Sequence, residues 1–285
     1  MTTVIVGTGY TGLRALHRLP ADEVLGLSRS LPERRDGREV RLLELDNATD
    51  AIPLPDAARL IYTVPPATDA DHDRRLEALL GALESNPARI VYLSTTGVYG
   101  NHAGATVSED TPLNPQSSRA VRRVAAEKAL EAFGHRTGTE ITILRVPGIY
   151  GPNRLMIERV RDGEAVIEES EANPGNRIHV DDLVTCCLAA SARGTPAGVF
   201  NVGDGDTRSS TWFASEVARQ LGLPPPPTLT RREAEKSWSP MRLSFLGESR
   251  VVDTTRMQKT LGVAPRYADA ADGIRASLVE MGLST

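Results

Sequence analysis

The chain has 285 residues, of which 40% are hydrophobic and 25% are charged, and its formal net charge at pH 7 is −4. This composition is typical of a folded globular protein and excludes a mainly disordered chain. Lysine and arginine do not follow one face, no apolar run is long enough to span a membrane, and no signal-peptide pattern begins the chain. We therefore expect a cytoplasmic protein without nucleic-acid or membrane partners.

The first predicted element is a short apolar strand that runs into a glycine-rich turn and then into a helix. Residues 4–12 read VIVGTGYTG. Gly7 permits a tight turn, Gly9 lets the backbone approach a pyrophosphate, and Gly12 lets the helix pack closely on the strand. The pattern predicts a dinucleotide-binding turn, with a glycine turn that binds no ligand as the alternative. The expected cofactor contacts are the six residues of the motif: Gly7, Thr8, Gly9, Tyr10, Thr11 and Gly12.

The end of the second strand distinguishes NAD from NADP. An acidic residue about 20 positions past the glycines would hold the ribose 2′-hydroxyl of NAD. Here the strand at 23–27 is followed by Ser28, Arg29 and Ser30, a hydroxyl and a guanidinium that suit a 2′-phosphate. We therefore expect Ser28 and Arg29 to favour NADP(H) over NAD(H). The alternative is that Arg29 is a solvated surface residue.

Strand-like and helical segments alternate through the first two thirds of the chain, which predicts an α/β fold with a Rossmann-type doubly wound parallel sheet. Leucines at helical spacing over 76–83 and the segment 118–134 are the expected crossover helices. The expected strands are 3–6, 23–27, 40–44, 59–63, 88–93, 140–145 and 198–203.

After residue 203 the pattern changes to a helix around 212–221, followed by four prolines at 224–227 that predict a stiff connector. Because parallel sheets bind ligands at the carboxyl ends of their strands, we expect a small C-terminal substrate lobe to close over that edge. The expected division is an NAD(P)-binding Rossmann domain of residues 1–150 and 176–203, and a small substrate-binding lobe of residues 151–175 and 204–285.

The two cysteines, Cys186 and Cys187, are adjacent in an apolar helical segment. Adjacent helical positions point in different directions, so core packing is preferred to redox chemistry, and neither a disulfide nor a metal site is expected. His179 and Asp182 resemble metal ligands, but no third ligand lies near them in the sequence. We expect Asp182 to cap or hydrogen-bond the helix that begins there.

Three further segments carry a resemblance to a known family: STTGVYG at 94–100, RVPGIYGP at 145–152 and NRIHVDDL at 176–183. With the glycine turn they follow, over about residues 1–205, the motif order of the extended short-chain dehydrogenase/reductase superfamily. The chain resembles its NAD-dependent epimerase/dehydratase group. The resemblance implies these cofactor contacts: Asp46 and Asn47 at the adenine, Tyr62, Val64, Pro65 and Pro66 along the ribose and phosphates, Ser94, and the backbone near Pro147 and Ile149 at the nicotinamide.

The chain departs from the family pattern at the reactive pair Tyr-x-x-x-Lys. Alignment through the preceding loop places Arg119 at the tyrosine and Arg123 at the lysine. A guanidinium has a pKa above about 12 and cannot act as a base. Gly148 and Gly175 stand where nucleotide-sugar enzymes of the family have an Asn and a phosphate-binding Arg, with Arg177 two residues later. The chain is therefore more similar to the atypical branch that lacks the pair.

Without that pair, another group must exchange a proton with the substrate oxygen. The resemblance places the hydroxyl of Thr95 beside the reacting carbon, and Tyr99, four residues later, carries a phenol suited to carbonyl reduction. The alternative for Tyr99 is a packed ring whose hydroxyl is bound by the backbone. Further candidates are His102, Glu109, Asp110 and Tyr150.

Arg119 and Arg123 lie four residues apart, on one face of the predicted helix. Two guanidiniums there can hold a carboxylate or a phosphate, or stabilise an oxyanion without exchanging a proton. The alternative is that they pair with Glu127 or line a solvated surface.

Two functions follow from this pattern. The first is an NADP(H)-dependent oxidoreductase or epimerase-like enzyme that acts on a small carbonyl or hydroxyl compound, with anionic substrates included. The second is a non-catalytic NADP(H)-binding protein that couples cofactor occupancy to a partner through closure of the C-terminal lobe. The missing Tyr-Lys pair favours the second, and the three family motifs along the cofactor and substrate edge favour the first.

Overall fold

A parallel sheet of seven strands lies at the centre of the part of the chain that this computed structural model describes, residues 2–46 and 50–283. In chain order the strands, including short ones outside this sheet, are β1 (Thr3–Val6), β2 (Val24–Ser28), β3 (Glu39–Leu42), β4 (Arg59–Tyr62), β5 (Arg89–Thr95), β6 (Thr106–Val107), β7 (Glu140–Val146), β8 (Gly148–Tyr150), β9 (Val166–Ile167), β10 (Arg177–His179), β11 (Gly198–Asn201), β12 (Thr228–Leu229) and β13 (Val251–Val252). Over the same residues the helices are α1 (Tyr10–Arg18), α2 (Arg74–Ala82), α3 (Ser118–Thr137), α4 (Ile157–Arg161), α5 (Val180–Ser191), α6 (Ser210–Gln220), α7 (Arg231–Ser237), α8 (Pro240–Leu246) and α9 (Ala270–Glu280).

The order of strands in the central sheet is β3-β2-β1-β4-β5-β7-β11, and all neighbours are parallel. Because β1 lies between β2 and β4, the strand order reverses at β1, and a crevice opens beyond its carboxyl end. The Rossmann-type doubly wound α/β fold predicted from the sequence is confirmed. Each central strand lies within two residues of its expected bounds.

Two hydrophobic clusters cover the two faces of the sheet because successive strand residues alternate sides. On β1, Ile5 belongs to the cluster packed with α1 and α5, whereas Val4 and Val6 belong to the cluster packed with α2 and α3. All three side chains are buried. Burial on both sides is expected of a parallel strand with helices on each face of the sheet.

The adjacent cysteines lie in the first of these clusters, as the packing interpretation predicted. Cys186 Sγ lies 3.5 Å from Met257 Sδ, and burial raises the pKa of the Cys187 thiol to about 12. A thiol that stays protonated is a poor nucleophile, so both cysteines act as core side chains.

A third hydrophobic cluster joins α4, α6 and α9. Three parallel pairs of short strands accompany it: β8 with β10, β9 with β12, and β6 with β13. β12 thus lies beside β9, in the part of the chain after β7, and β13 lies beside β6, in the part of the chain after β5. Within the described ranges, no helix has the length and apolar character needed to cross a lipid bilayer.

Candidate functional site

A cavity of about 240 Å³ opens at the carboxyl ends of β1, β2 and β4, where the strand order reverses. Thr63, which lies in the segment 62–66 that the resemblance places along the ribose and phosphates, also lines it, as does Arg75, to which the sequence did not point. Asn47 lies outside the described residues. The predicted cofactor contacts that line this cavity are Gly7, Thr8, Gly9, Ser28, Arg29, Asp46, Val64 and Pro65.

The glycine turn is held tightly against the end of β4. Gly7 has a φ of +92°, and a Cβ at this position would lie 2.8 Å from Val64 Cγ2. Thr63 Oγ1 donates a hydrogen bond to the Gly7 carbonyl at 2.7 Å. A Cβ on Gly12 would overlap that same carbonyl oxygen. Gly7 and Gly12 are therefore required by the packing of the turn itself.

Gly9 has a different environment. A Cβ at Gly9 would have no described atom within 4 Å, so the backbone here borders open space. Helix α1 begins at the next residue, Tyr10, with no side-chain cap and no acidic residue in its first turn. The first N–H groups of a helix lack partners within the helix and favour an anion. This arrangement fits the phosphates of a dinucleotide.

The other residues of the motif support the turn. Tyr10 OH donates a hydrogen bond to Pro152 O at 2.9 Å, and the Arg154 guanidinium lies 3.9 Å from the centroid of the Tyr10 ring. The side chain of Thr11 is buried. None of Tyr10, Thr11 and Gly12 is among the described residues that line the cavity, so a cofactor contact at these three positions stays a prediction.

At the end of the cavity where the resemblance places the adenine, Arg75 binds both carboxylate oxygens of Asp46, with Nε–Oδ1 and Nη2–Oδ2 distances of 2.7 Å. Arg74 Nη2 adds a longer contact of 3.3 Å. Hydrogen bonding from Arg75 lowers the pKa of the Asp46 carboxyl, and Arg29 contributes a smaller effect in the same direction. Arg74 and Arg75 occupy the first turn of α2, where the helix dipole disfavours cations. Their pairing with Asp46 offsets that cost.

Three predicted contacts take other positions. Tyr62 is fully buried, and its ring stacks on Tyr92 with a centroid distance of 5.8 Å. Ser94 is buried and donates its hydroxyl to Glu127. Pro66 is not among the described residues that line the cavity. The side chains of Tyr62 and Ser94 are therefore corrected from cofactor contacts to supporting positions, and the contact at Pro66 stays a prediction.

A second cavity, of about 540 Å³, lies at the carboxyl ends of β5 and β7, and we call it the cleft. Thr95, Arg119, Pro147 and Ile149 line it together. Thr95 Oγ1 accepts a hydrogen bond from Gly97 N at 3.1 Å, which fixes the side chain at the end of β5. The structure thus brings the candidate hydroxyl, one candidate arginine and the segment expected at the nicotinamide to one place.

Tyr99 does not reach the cleft. Its side chain is fully buried, and its hydroxyl donates to Asn201 Oδ1 at 2.6 Å and accepts from Arg145 Nη1 at 2.9 Å. Burial raises the pKa of the phenol. A proton donor to substrate needs an accessible hydroxyl. The prediction of a catalytic Tyr99 is therefore corrected to the packing alternative, with side chains rather than backbone as the partners of the hydroxyl.

The two predicted arginines also separate. Arg119 is exposed and lines the cleft. One turn later, Arg123 Nη1 donates to Tyr92 OH at 2.9 Å, and Tyr92 OH donates to the buried Asp73 at 3.3 Å. Glu127, the expected partner in the alternative, is instead paired with Arg145 at 2.8 Å. Arg123 is therefore corrected from a catalytic candidate to a structural contact between α3 and β5.

The remaining proton-exchange candidates are bound elsewhere. His102 Nε2 lies 3.1 Å from Tyr99 O, Glu109 Oε1 accepts from Asn201 N at 2.9 Å, and Asp110 pairs with an exposed arginine. Tyr150 lines the cleft, but its hydroxyl is buried and points at α9, where a Cβ on Gly273 would overlap it. Thr95 is therefore the candidate hydroxyl that the described cleft retains.

His179 and Asp182 have structural roles. His179 Nδ1 accepts a hydrogen bond from Asp181 N at 3.2 Å and caps α5. Asp182 lies inside the helix and accepts from the backbone N–H groups of Arg266 and Tyr267 at 2.9 and 3.0 Å. The prediction was that Asp182 caps or hydrogen-bonds α5, and its carboxylate instead binds the segment before α9. Across residues 2–46 and 50–283, no group of three potential metal ligands occurs.

The cleft also contains charged residues beyond the candidates for catalysis. Arg177, which the sequence placed two residues after the expected phosphate-binding arginine, lines it, and so do Arg154, Arg250 and Glu248, which the sequence did not single out. Arg177 passes over Gly175, where a Cβ would overlap the guanidinium. Because Gly175 has no side chain, the guanidinium of Arg177 fits beside it.

The profile of the NAD dependent epimerase/dehydratase family matches residues 4–203 of this chain. Protein YeeZ of Escherichia coli strain K12 is 27% identical over 288 aligned residues, which cover 93% of this chain and 96% of YeeZ.

Solved structures agree with the assignment of the fold. A functionally unknown conserved protein from Silicibacter pomeroyi has a TM-score of 0.80 and 29% identity, with 98% of this chain and 99% of that chain covered. MoeE5 in complex with UDP-glucose and NAD has a TM-score of 0.75 and 22% identity over the full length of both chains. The glycine turn, the crevice at β1 and the match over residues 4–203 together lead to one assignment: the chain belongs to the NAD dependent epimerase/dehydratase family.

Proposed function

We propose that the chain binds NADP(H) in preference to NAD(H) at the carboxyl edge of the sheet. Gly7, Gly9 and the start of α1 would hold the pyrophosphate, and Ser28 and Arg29 would hold a 2′-phosphate. Support comes from the cavity at β1, in which Gly9 borders open space and Arg29 lies at the adenine end. A cytoplasmic location, where NADP(H) is available, is part of the same proposal.

We further propose that the protein is an oxidoreductase or epimerase-like enzyme. When bound, the dinucleotide would supply a hydride donor or acceptor. The observation that carries the proposal is the convergence of Thr95, Arg119, Pro147 and Ile149 on one cleft. Thr95 would orient a substrate oxygen, and Arg119 would stabilise negative charge that develops on it. Because a guanidinium cannot act as a general base, water would complete any proton exchange.

The substrate in this proposal is a small carbonyl or hydroxyl compound with an anionic group. Arg119 and Arg154 are exposed and line the cleft, and they give its rim a positive potential. The UDP-glucose of MoeE5 is not carried over. Gly148 and Gly175 lack the side chains that nucleotide-sugar enzymes are expected to use there. Residues 151–175 and 204–285 would form the lobe that covers the substrate.

A non-catalytic NADP(H)-binding protein remains the second candidate. The observation that favours it is the arginine pair at the expected Tyr and Lys positions, of which Arg123 is bound to Tyr92. Turnover separates the candidates, because an enzyme oxidises NADPH with some small carbonyl compound and a sensor does not. If Thr95→Ala lost turnover while cofactor affinity stayed the same, the catalytic role of Thr95 would be supported.

The first experiment is a fluorescence titration of the protein with NADPH and NADH. We expect NADPH to bind at least about tenfold more tightly, and Arg29→Ala to remove most of that difference. Arg34→Ala is the matched control, because Arg34 is exposed and pairs with Asp36 outside the cavity. Equal affinities in the wild type would contradict the NADP preference, and absence of binding to both would contradict the cofactor proposal as a whole.

A further inference from the structure

Two arginines of the cleft are buried to an extent that charged side chains rarely reach. The side chains of Arg177 and Arg250 are 8% and 11% exposed, although both residues line the cleft. Burying a charge is costly unless counter-charges and hydrogen bonds compensate it. The partners of each N–H group therefore show how far these two charges are compensated.

The charge of Arg250 is compensated at one terminal nitrogen, Nη1. Its Nη1 donates to Gly100 O and to Glu248 Oε2, the latter at 3.0 Å. Its Nε is buried without an acceptor among the described residues, and its Nη2 forms no hydrogen bond to them. A buried donor without a partner lowers the stability of the fold. The Nε–Nη2 edge thus lacks a hydrogen-bond acceptor among the described residues, at a cost to stability.

That edge is the one that recognises oxyanions. Nε and Nη2 of an arginine are parallel donors that can bind both oxygens of a carboxylate or a phosphate. The same chain shows this geometry at Arg75, whose Nε and Nη2 bind the two oxygens of Asp46 at 2.7 Å. No carboxylate of the described chain fills the equivalent position at Arg250.

The backbone that carries Arg250 is fixed from the cleft side. Asn176 Nδ2 donates to Arg250 O at 2.8 Å, and Asn176 Oδ1 accepts from Val252 N at 2.8 Å. Asn176 directly precedes Arg177, so one amide side chain connects the two segments that carry the buried arginines. Arg250 is therefore held in place before any ligand arrives.

Arg177 supplies a second, partly compensated charge. Its Nη2 donates to the carbonyls of Arg208 and Ser209, and its Nη1 is buried without a hydrogen bond to any described atom. The nearest carboxylate oxygen in an ion pair with Nη1 is Asp206 Oδ1, at 3.6 Å. This distance compensates part of the charge without satisfying the donor.

We propose that Arg250 forms an oxyanion subsite in the cleft, which binds a substrate carboxylate or phosphate through Nε and Nη2. Arg177 adds positive charge, Asn176 positions Arg250, and Glu248 stays on Nη1. The subsite rests on the proposed enzymatic function and defines its substrates as small anionic carbonyl compounds. Arg119 and Arg154 at the rim draw the anion into the cleft.

The test measures binding by saturation-transfer NMR and calorimetry, with and without saturating NADP⁺. The probes are two matched pairs: pyruvate with its neutral methyl ester, and dihydroxyacetone phosphate with dihydroxyacetone. We expect at least one anionic probe to bind at least about tenfold more tightly than its neutral partner. The pair that shows the difference identifies the group as carboxylate or phosphate.

Arg250→Gln should reduce the affinity for that anionic probe at least about tenfold, and Arg250→Lys should reduce it less. Arg242→Gln is the control, because Arg242 stacks on Trp238 at 3.6 Å and is not among the described residues that line the cleft. Circular dichroism and the affinity for NADPH verify folding, and they separate failure of the subsite from failure of cofactor binding. The subsite is refuted if the anionic probes bind no better than the neutral ones, or if both Arg250 variants retain the preference.

Discussion

Arg75 binds both carboxylate oxygens of Asp46 through Nε and Nη2, at 2.7 Å each, and its Nη1 donates to Pro65 O at 3.1 Å. These bonds join α2 to the segment after β3 and to the segment after β4. Both segments line the cavity at β1. One guanidinium therefore holds together the two walls that would enclose the adenine half of a dinucleotide.

Arg75→Gln should weaken the binding of NADPH and of NADH by a similar factor. The substitution loosens the cavity walls without removing a specific contact to the 2′-phosphate. Loss of a charge-assisted clamp at a site that is one-fifth exposed predicts a decrease of about tenfold. Fluorescence titration with both cofactors measures it. Arg74→Gln, which loses a 3.3 Å contact to Asp46 and an ion pair with Asp69 at 3.1 Å, should have a smaller effect. If the substitution at Arg75 weakened the binding of NADPH but not of NADH, Arg75 would instead be assigned to the 2′-phosphate.

Gly9→Ala and Gly12→Ala should separate cofactor binding from stability. A Cβ at Gly9 has no described atom within 4 Å, whereas a Cβ at Gly12 overlaps the carbonyl oxygen of Gly7. We expect Gly9→Ala to change Tm by less than about 2 °C and to reduce NADPH affinity strongly. Gly12→Ala should lower Tm by about 5 °C or more.

Thermal unfolding without ligand and cofactor titration, carried out on both glycine variants, give the comparison. If Gly9→Ala bound NADPH like the wild type, the open space beside Gly9 would not be the phosphate site.

Tyr99→Phe should destabilise the fold and leave NADPH affinity unchanged. The substitution removes the hydroxyl between Asn201 and Arg145 and leaves two buried polar groups short of a partner. The expected cost is about 1–3 kcal/mol in the free energy of unfolding, measured by urea denaturation. Loss of turnover with no loss of stability would restore Tyr99 as a proton donor.

The sequence predicts the sheet and the glycine turn because both depend on local patterns. The alternation of residues on β1 and the spacing of Gly7, Gly9 and Gly12 are properties of a dozen neighbouring residues. Thr95 was placed by the family resemblance, and in the structure it ends β5 and lines the cleft. The position of Tyr99 could not be predicted, since the short 3₁₀ turn Thr96–Tyr99 carries its ring into the core.

The charged residues of the site were harder to find because their positions depend on distant contacts. Arg75 reaches the cavity through a bond to a residue 29 positions earlier. Arg250 is placed by Asn176, 74 positions before it. No spacing rule connects such pairs, and an isolated arginine in a sequence is most often a surface residue. Sequence reasoning therefore identified more of the residues that line the cavity at β1 than of the charged residues that line the cleft.

Asp204 and His179 should give opposite pH dependences of stability. Asp204 is buried just after β11, its Oδ1 accepts from Asp206 N at 2.9 Å, and burial raises its pKa to about 7. A raised carboxyl pKa stabilises the fold below the unfolded value near 3.8, and this contribution is lost as the pH rises through 7. Burial lowers the pKa of His179 to about 4. Its contribution is present above about 6.5 and is lost as the pH falls toward 4.

Asp204→Asn removes the first dependence and retains the acceptor for Asp206 N. Relative to the wild type, the variant should gain up to about 4 kcal/mol in the free energy of unfolding between pH 4 and pH 8. Its own stability should fall as the pH decreases from 6.5 to 4, because the protonation of His179 in the unfolded chain is no longer opposed by Asp204. Urea denaturation at pH 4, 6 and 8 measures both effects, with the exposed Asp22→Asn as control. The difference in the free energy of unfolding between Asp204→Asn and the wild type could also stay constant across this range. That result would mean that Asp204 is ionised in the folded protein at pH 4, against the effect of its burial.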